Sequence, residues 1–336
     1  MAWTEFHAKL HIFLRASFLL PNNSHILMAI SGGQDSLCLA YLLRELAERW
    51  QWSLGIVHCD HQWRSDSAEN ADHVKALAEQ WQLPVWVKVA EKPPDSEAIA
   101  RHWRYKVLAQ VARENSYDYV VTGHTMSDRA ETVLYNLVRG TGTDGLGTLV
   151  QSRLLDNAQP PVRLVRPLLE FTRQETADVC HDQQLPIWED STNNDLRFRR
   201  NRIRQELLPY LCEHFNPQIE KALAQTAVIA AAETEYLNAQ CAALFEQCVV
   251  KRSDTCWEIQ RKVLSQEPLA LQRRVVRQLL QIVIAQPINF LQIEKLIGLL
   301  NGPNGSQSDP YPDNWTAQVR GSFVLLSHET HCHETI

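Results

Sequence analysis

The stretch that most constrains this chain runs from Ile26 to Trp50. Ile26-Leu27-Met28-Ala29-Ile30 is a short apolar run, Ser31-Gly32-Gly33-Gln34-Asp35-Ser36 breaks it, and Leu, Ala and Tyr then recur at helical spacing. That order reads as a buried parallel strand, a tight loop and a helix. Gly32 and Gly33 tolerate positive φ and carry no Cβ, so successive backbone N–H groups can curl around an anion at the positive end of the helix. Ser31 and Ser36 add hydroxyl donors. The loop lacks both the Lys of G-x-x-x-x-G-K-[ST] and the spacing of G-x-G-x-x-G, so neither familiar nucleotide loop fits. Asp35 narrows the ligand further. A carboxylate beside phosphate is repulsive unless a cation such as Mg²⁺ lies between them, which points to a metal-bridged pyrophosphate.

Beyond the loop the pattern alternates. Strands are expected at 53–57, 84–89 and 119–122, with helices at 67–81 and 96–116 between them. Such alternation predicts an α/β fold, a doubly wound, mostly parallel sheet whose ligands bind at the carboxyl ends of its strands. Phe6, Leu10, Leu14 and Phe18, spaced by four, predict an amphipathic helix within 1–20. Gly140 to Gly147 and 156–161 read as loops, 172–183 and 200–215 as helices, and 190–195 as a turn. From Pro217 the composition shifts to Ala- and Gln-rich helices (217–249, then 269–284 and 290–300), with a strand pair around 315–326. With 336 residues, enough for roughly two domains, we divide the chain into a catalytic domain, 1–215, and a smaller, mainly helical domain, 216–336.

Cysteine usage bounds the chemistry. Eight cysteines are scattered with no C-x-x-C pair, which reads as reduced, buried thiols and excludes the usual zinc and iron–sulfur spacings. The tail His331-Cys332-His333 reads as a frayed terminus. No apolar run reaches the roughly 18–20 residues of a membrane span, so a cytoplasmic protein is expected. A net charge of −6 argues against indiscriminate coating of nucleic acid but leaves room for a local basic patch.

Three further groups of residues stand out. Arg101, Arg104 and Tyr105 share one helical face; they suit either a solvated surface paired with Glu97 or a phosphate clamp. His124 follows a strand end, and Asp128 and Glu131 lie on the next helix, where acidic residues also complement the helix dipole. The 196–204 segment carries Arg197, Arg199, Arg200, Arg202 and Arg204, a density for which RNA backbone is the obvious counterion.

The loop Ser31-Gly32-Gly33-Gln34-Asp35-Ser36 resembles the SGGxDS loop of the PP-loop ATP pyrophosphatases, which cleave ATP between the α- and β-phosphates. His58-Cys59-Asp60-His61, Ala100-Arg101-His102-Trp103-Arg104-Tyr105, the His124 block through Arg139-Gly140-Thr141-Gly142, and Arg166-Pro167-Leu168-Leu169 follow in order. Asp190-Ser191-Thr192-Asn193, Arg200-Asn201-Arg202-Ile203-Arg204 and Leu207-Leu208-Pro209-Tyr210-Leu211 complete the series. Together they resemble the tRNA(Ile)-lysidine synthetase family, in its shorter form with a single small C-terminal domain. The match covers about residues 20–215. Thr125, Ser127 and Arg129 depart from the family's second His, first Asp and Gln, whereas His124, Asp128 and Glu131 keep the pattern.

The resemblance implies adenylation of the C2 oxygen of the wobble cytidine in a CAU-anticodon isoleucine tRNA, then attack by the ε-amine of L-lysine and loss of AMP. ATP and Mg²⁺ are the implied cofactors, with Ser31, Gly32, Gly33, Gln34 and Ser36 on the nucleotide and Asp35 reaching pyrophosphate through Mg²⁺. Arg104, supported by Arg101, is implied to neutralise the α-phosphate or departing AMP. His124 and Asp128 contact that phosphate or the lysine amine, with Glu131 in support. Arg204 carries RNA phosphate or reaches into the site, and Arg197, Arg199, Arg200 and Arg202 are candidates for RNA contact. A homodimer is left open.

Three rival readings fit the residues less well. A tRNA cytidine thiolase shares the loop but needs cysteine pairs, and a GMP synthetase-like enzyme lacks a reason for the arginine cluster. A noncatalytic RNA-binding module with a degenerate loop would be expected to have lost Asp35 or Ser36, and both are present.

Overall fold

A computed structural model describes residues 3–189 and 195–328. The expected turn at 190–195, apart from Asp195, and the His331-Cys332-His333 tail lie outside the described residues. Contacts divide the chain into two compact units, Met1–Ala231 and Ala232–Ile336. The composition change at Pro217 marks the start of a 30-residue helix, Ile219–Cys248, and the units part inside that helix. Its first half buries Ala224, Ala227 and Ala230, which ties those turns to the first unit.

The first unit opens with α1 (Glu5–Ser17), capped by Thr4. Leu10 and Leu14 are fully buried, but Phe18 adopts a left-handed conformation that ends the helix and leaves the ring 83% exposed, so it does not continue the apolar stripe. Next come β1 (His25–Ala29), α2 (Gln34–Trp50), β2 (Ser53–Asp60), α3 (Ser67–Gln80), β3 (Val85–Val89), α4 (Glu97–Glu114), β4 (Tyr119–Thr122) and α5 (Met126–Val138). A hairpin of β5 (Ser152–Leu154) and β6 (Arg163–Val165) and then α6 (Arg173–Asp182) follow.

The sheet order is β3-β2-β1-β4-β6-β5, parallel except for β5. The chain builds outward from β1 through β2 to β3 and returns to β1's other side with β4. The topological switch point is therefore the β1/β4 crevice, where ligands bind in open α/β sheets. Ile26, Leu27 and Met28 on β1 and Leu37, Leu39, Leu42, Leu43 and Leu46 on α2 are 0–1% exposed. Full burial of each such side chain stabilises the unit by about 1.5–3 kcal/mol, so the phosphate-type loop hangs between two of the most deeply fixed elements in the chain.

The second unit contains the helices Leu269–Val283 and Phe290–Leu300 over a four-stranded antiparallel sheet of order β7-β8-β10-β9. The pair β9 (Trp315–Arg320) and β10 (Phe323–His328) matches expectation, while β7 (Val249–Ser253) and β8 (Cys256–Gln260) were not anticipated. No helix among the described residues is long and apolar enough to cross a membrane. Cys38, Cys59, Cys180, Cys212, Cys241 and Cys248 form no disulfide. Burial pushes the Cys59 and Cys180 thiols up to about 12, as befits inert core thiols.

Candidate active site

The loop after β1 is built as its glycines require. Gly32 has φ +87°, and a Cβ there would lie 2.5 Å from Asn70 Oδ1 and 3.2 Å from Trp188 Cβ. Gly33 forms the N-cap of α2 without a side-chain bond, so the first turn of α2 presents its amides at a position that a capping side chain does not fill. Ser36 donates from Oγ to the Gly33 carbonyl at 2.8 Å, and the Ser31 amide donates to Ser36 Oγ at 3.2 Å. Ser31 itself is exposed, and its Oγ accepts from the Gly33 amide at 3.3 Å. Gln34 turns inward and donates to the Arg173 carbonyl and Thr176 Oγ1, both at 2.8 Å, which fastens the loop to α6.

The exit of β4 presses on this loop. A Cβ on Gly123 would meet the Asp35 carbonyl carbon and oxygen at 2.7 Å and the Ser36 amide nitrogen at 2.8 Å. Because those atoms are backbone, they cannot rotate away. Gly123→Ala is expected to cost about 1–3 kcal/mol, the usual range for an overpacked site, and to weaken ATP binding. Urea unfolding and nucleotide titration would show it, and a wild-type midpoint would mean that the loop yields.

After Gly123 the chain places His124 and then α5. Thr125 caps α5 in a reciprocal box: its amide donates to Asp128 Oδ2 at 2.8 Å and its hydroxyl at 3.0 Å. The three departures from the family pattern each have a local partner. Thr125 holds Asp128, Ser127 Oγ donates to Glu220 at 2.6 Å and accepts from the Arg173 amide at 3.1 Å, and buried Arg129 donates to the Leu149 carbonyl at 3.0 Å.

The centre of the site is Arg173, the first residue of α6, which sequence reasoning did not single out. Its Nη2 donates to Asp128 at 2.9 Å, Nη1 to Glu131 at 3.2 Å and Nε to Asp35 at 3.3 Å. One guanidinium therefore joins the acid of the α2 loop to both acids of α5. Arg204, in a π-helical turn (Ile203–Leu207), clamps Glu131 with two bonds of 2.6 and 2.8 Å and reaches Asp128 at 3.8 Å. Thr176 Oγ1 donates to Asp35 Oδ1 in a short bond.

The charges in this box are unequal. Burial alone would raise Asp128, but Arg173, His124 and Arg204 hold it below the usual carboxylate range. Asp35 moves the other way: burial raises it, Asp128 adds to the rise, and Arg173 and the Thr176 hydroxyl only partly offset them. Burial would lower Arg173, yet Asp128, Asp35 and Glu131 reverse the sign. His124 bonds Thr122 Oγ1 through Nδ1 at 2.8 Å, and burial, aided by Arg166, Arg104 and Arg101, pushes it down despite Asp128. It is the neutral imidazole at neutral pH. Buried His58 fixes the loop's entry by donating Nδ1–H to the Ile30 carbonyl at 2.8 Å.

Arg104 and Arg101 stand together over the Tyr105 ring, at 5.8 and 4.9 Å from its centroid. The outer arginines lie in surface ion pairs: Arg197 with Asp195 at 2.6 Å, Arg200 with Glu97 at 2.8 Å and Arg202 with Glu206 at 3.0 Å. Arg199 is exposed.

The PP-loop domain family matches residues 4–211. A tRNA(Ile)-lysidine synthase of Nostoc sp. is 51% identical over 97% of this chain and 98% of its own, and that of Synechocystis sp. is 48% identical over 98% and 99%. The chain belongs to the tRNA(Ile)-lysidine synthase family. Among solved structures, the U34-tRNA thiolase NcsA from Methanococcus maripaludis superposes with a TM-score of 0.55 over 66% of this chain and 77% of its own. At 18% identity that likeness shows the fold alone. ATP use comes with membership of this PP-loop family.

The residues also fit Mg²⁺ as an added cation. Among the described residues no set of three His, Cys, Asp or Glu side chains forms a cage, and Mg²⁺ commonly takes only one or two carboxylates alongside phosphate oxygens and water. Asp35 at the loop and Asp128 across Arg173 supply that kind of donor set.

Proposed function

We propose that this cleft makes lysidine in two steps on the wobble cytidine of a CAU-anticodon isoleucine tRNA, in the cytoplasm. Membership of the family supports ATP-dependent lysidine formation; the observation that supports the two-step route is the box of Asp35, Asp128 and Glu131 drawn together by Arg173 and Arg204 beside the loop amides. In the first step the cytidine O2 attacks the α-phosphorus, and pyrophosphate leaves into the amides of Gly32 and Gly33 and the hydroxyls of Ser31 and Ser36. Asp35 would hold Mg²⁺, which would supply positive charge to the departing pyrophosphate. Arg104, with Arg101 behind it, neutralises the α-phosphate.

In the second step the lysine ε-amine gives up one proton, attacks C2, and the C2–O2 bond breaks with AMP as the leaving group. Adenylation thus replaces one poor leaving group by a good one, dividing a hard substitution into two easier ones. Asp128 attracts the incoming ammonium, with Glu131, fixed by Arg204, in support. His124, neutral at working pH, contacts the α-phosphate or the lysine amine without acting as a base, and the proton passes to water. The test is transfer of labelled lysine to unmodified tRNA(Ile) carrying CAU, with the methionine tRNA of the same anticodon as control. Incorporation into the isoleucine tRNA alone supports the reading, and equal labelling of both RNAs or of neither removes it.

A further inference from the structure

The first unit holds a second concentration of positive charge for which the carboxylate box has no use. Guanidinium carbons of Arg153 and Arg101 lie 4.8 and 4.9 Å from the centroid of the Tyr105 ring, and that of Arg104 lies at 5.8 Å. Arg166, at the end of β6 and only 2% exposed, bears on the Tyr105 hydroxyl and donates from Nη1 to the Val150 carbonyl at 2.6 Å. Among the described residues none of these four arginines meets a carboxylate, in a chain whose 39 acidic residues outnumber its 33 basic ones. Two buried polar atoms here, Tyr105 Oη and Arg166 Nε, make no hydrogen bond of normal geometry among the described residues, although the Arg166 side chain approaches the Tyr105 hydroxyl.

Packing four like charges around one ring is unfavourable unless an anion completes the group. The strain shows on Arg101, whose affinity for its proton is lowered by burial and by Arg104, Arg200 and Arg153, with Tyr105 opposing. The phenol shows the reverse: burial would raise it, but Arg101, Arg166 and Arg104 bring it below its ordinary range.

We propose that Arg101, Arg153, Arg166 and Tyr105 form a second oxyanion subsite, separate from the phosphate loop, that receives one carboxylate or phosphodiester group of the substrates. The proposal rests on the two-step reading above for what those substrates are. The amides of the loop after β1 serve pyrophosphate, and Arg104 serves the α-phosphate. Arg101 on α4, behind Arg104, is shared between that phosphate and a second anion, which Arg153 on β5 and Arg166 at the end of β6 also serve. Two sources carry that chemistry: the α-carboxylate of free lysine and a backbone phosphate beside the target nucleotide.

Arg153→Gln and Tyr105→Phe in the full-length enzyme test it; Arg166 is left intact because its burial makes it part of the fold. Melting curves like that of the wild type qualify each variant. Should the anion be RNA phosphate, Arg153→Gln lowers the salt slope of tRNA binding, read by fluorescence anisotropy, by about 0.7–0.9. Should it be the lysine carboxylate, the wild type prefers lysine to cadaverine, and Arg153→Gln loses about tenfold of that preference by raising the KM for lysine while cadaverine is unaffected. Tyr105→Phe shifts the same quantity less, since the ring remains. Either pattern supports the subsite and names its occupant. An unchanged salt slope together with unchanged preference in folded variants overturns it. Binding needs no turnover, so the anisotropy arm still decides if wild-type enzyme transfers no lysine, a result that would instead sink the two-step reading.

Discussion

Arg173→Met is expected to lower lysine transfer by at least about 10²-fold and to destabilise the first unit by about 3 kcal/mol. That stability cost is the low end for removing one partner of a buried pair, because the Arg173 side chain keeps 29% exposure while Glu131 keeps 4%. The methionine fills similar volume but leaves Asp35, Asp128 and Glu131 facing one another with Arg204 as their remaining arginine. The pH dependence has a definite sign. In the wild type Asp128 is held low, so its contribution is present above its unfolded value of about 3.9 and is lost as pH falls through its folded value. Without Arg173, burial raises Asp128 as it already raises Asp35, and a raised carboxyl costs stability as pH climbs. The deficit of the variant is therefore smallest below about pH 3.9, where Asp128 becomes protonated, and grows towards neutrality. Urea midpoints measured across that range check it; a constant difference would mean that Arg173 is not the counterion of the box.

Asp35→Asn has the larger effect on chemistry and the smaller one on folding. The amide keeps the size and can still bond Thr176 Oγ1, but it removes the charge that would hold Mg²⁺ against pyrophosphate. AMP formation is expected to fall by about 10³-fold or more, the scale of losing a metal's charge stabilisation, while tRNA affinity stays at the wild-type value. Stability is expected to hold or rise slightly, because burial leaves the charged form of Asp35 disfavoured despite Arg173 and Thr176. A loss of tRNA binding equal to the loss of rate would contradict this, since it would place Asp35 in RNA recognition instead of pyrophosphate handling.

Much of the α/β unit was legible because its signals are local. The run 26–36 specifies a strand, a glycine turn and a helix within a few residues, and β1, α2, β4 and α6 stand close to where periodicity put them. Asp35, His124, Asp128, Glu131 and Arg204 could be singled out because each lies in a compact polar segment at a strand end or helix start. What joins them could not be read in the same way. Arg173 contacts residues 138, 42 and 45 positions away, a relation that only the sheet order creates. One local signal did exist: Arg173 sits at the first position of a helix capped by Thr172, where a cation opposes the helix dipole and calls for a nearby acid.

The arrangement within 196–204 was not legible either. The π-helical turn at Ile203–Leu207 turns Arg204 onto Glu131, and Arg197, Arg200 and Arg202 pair with surface acids, a division that arginine density alone does not specify. Gly123 gave no signal of its own, because its need for a missing Cβ comes from the α2 backbone folded against it. In the second unit, β7 and β8 were overlooked because the helical periodicity of 219–248 runs directly into them. The short turn at Asp254 and Thr255 was the available cue.

The most direct measurement supplies ATP radiolabelled at the α-phosphate, with the CAU-anticodon isoleucine tRNA and no lysine. If the box and the glycine loop together hand AMP to the nucleobase, label appears on the RNA in step with pyrophosphate release, and later addition of lysine chases it into free AMP. Pyrophosphate release without RNA, or labelled AMP that never passes through the RNA, would contradict it.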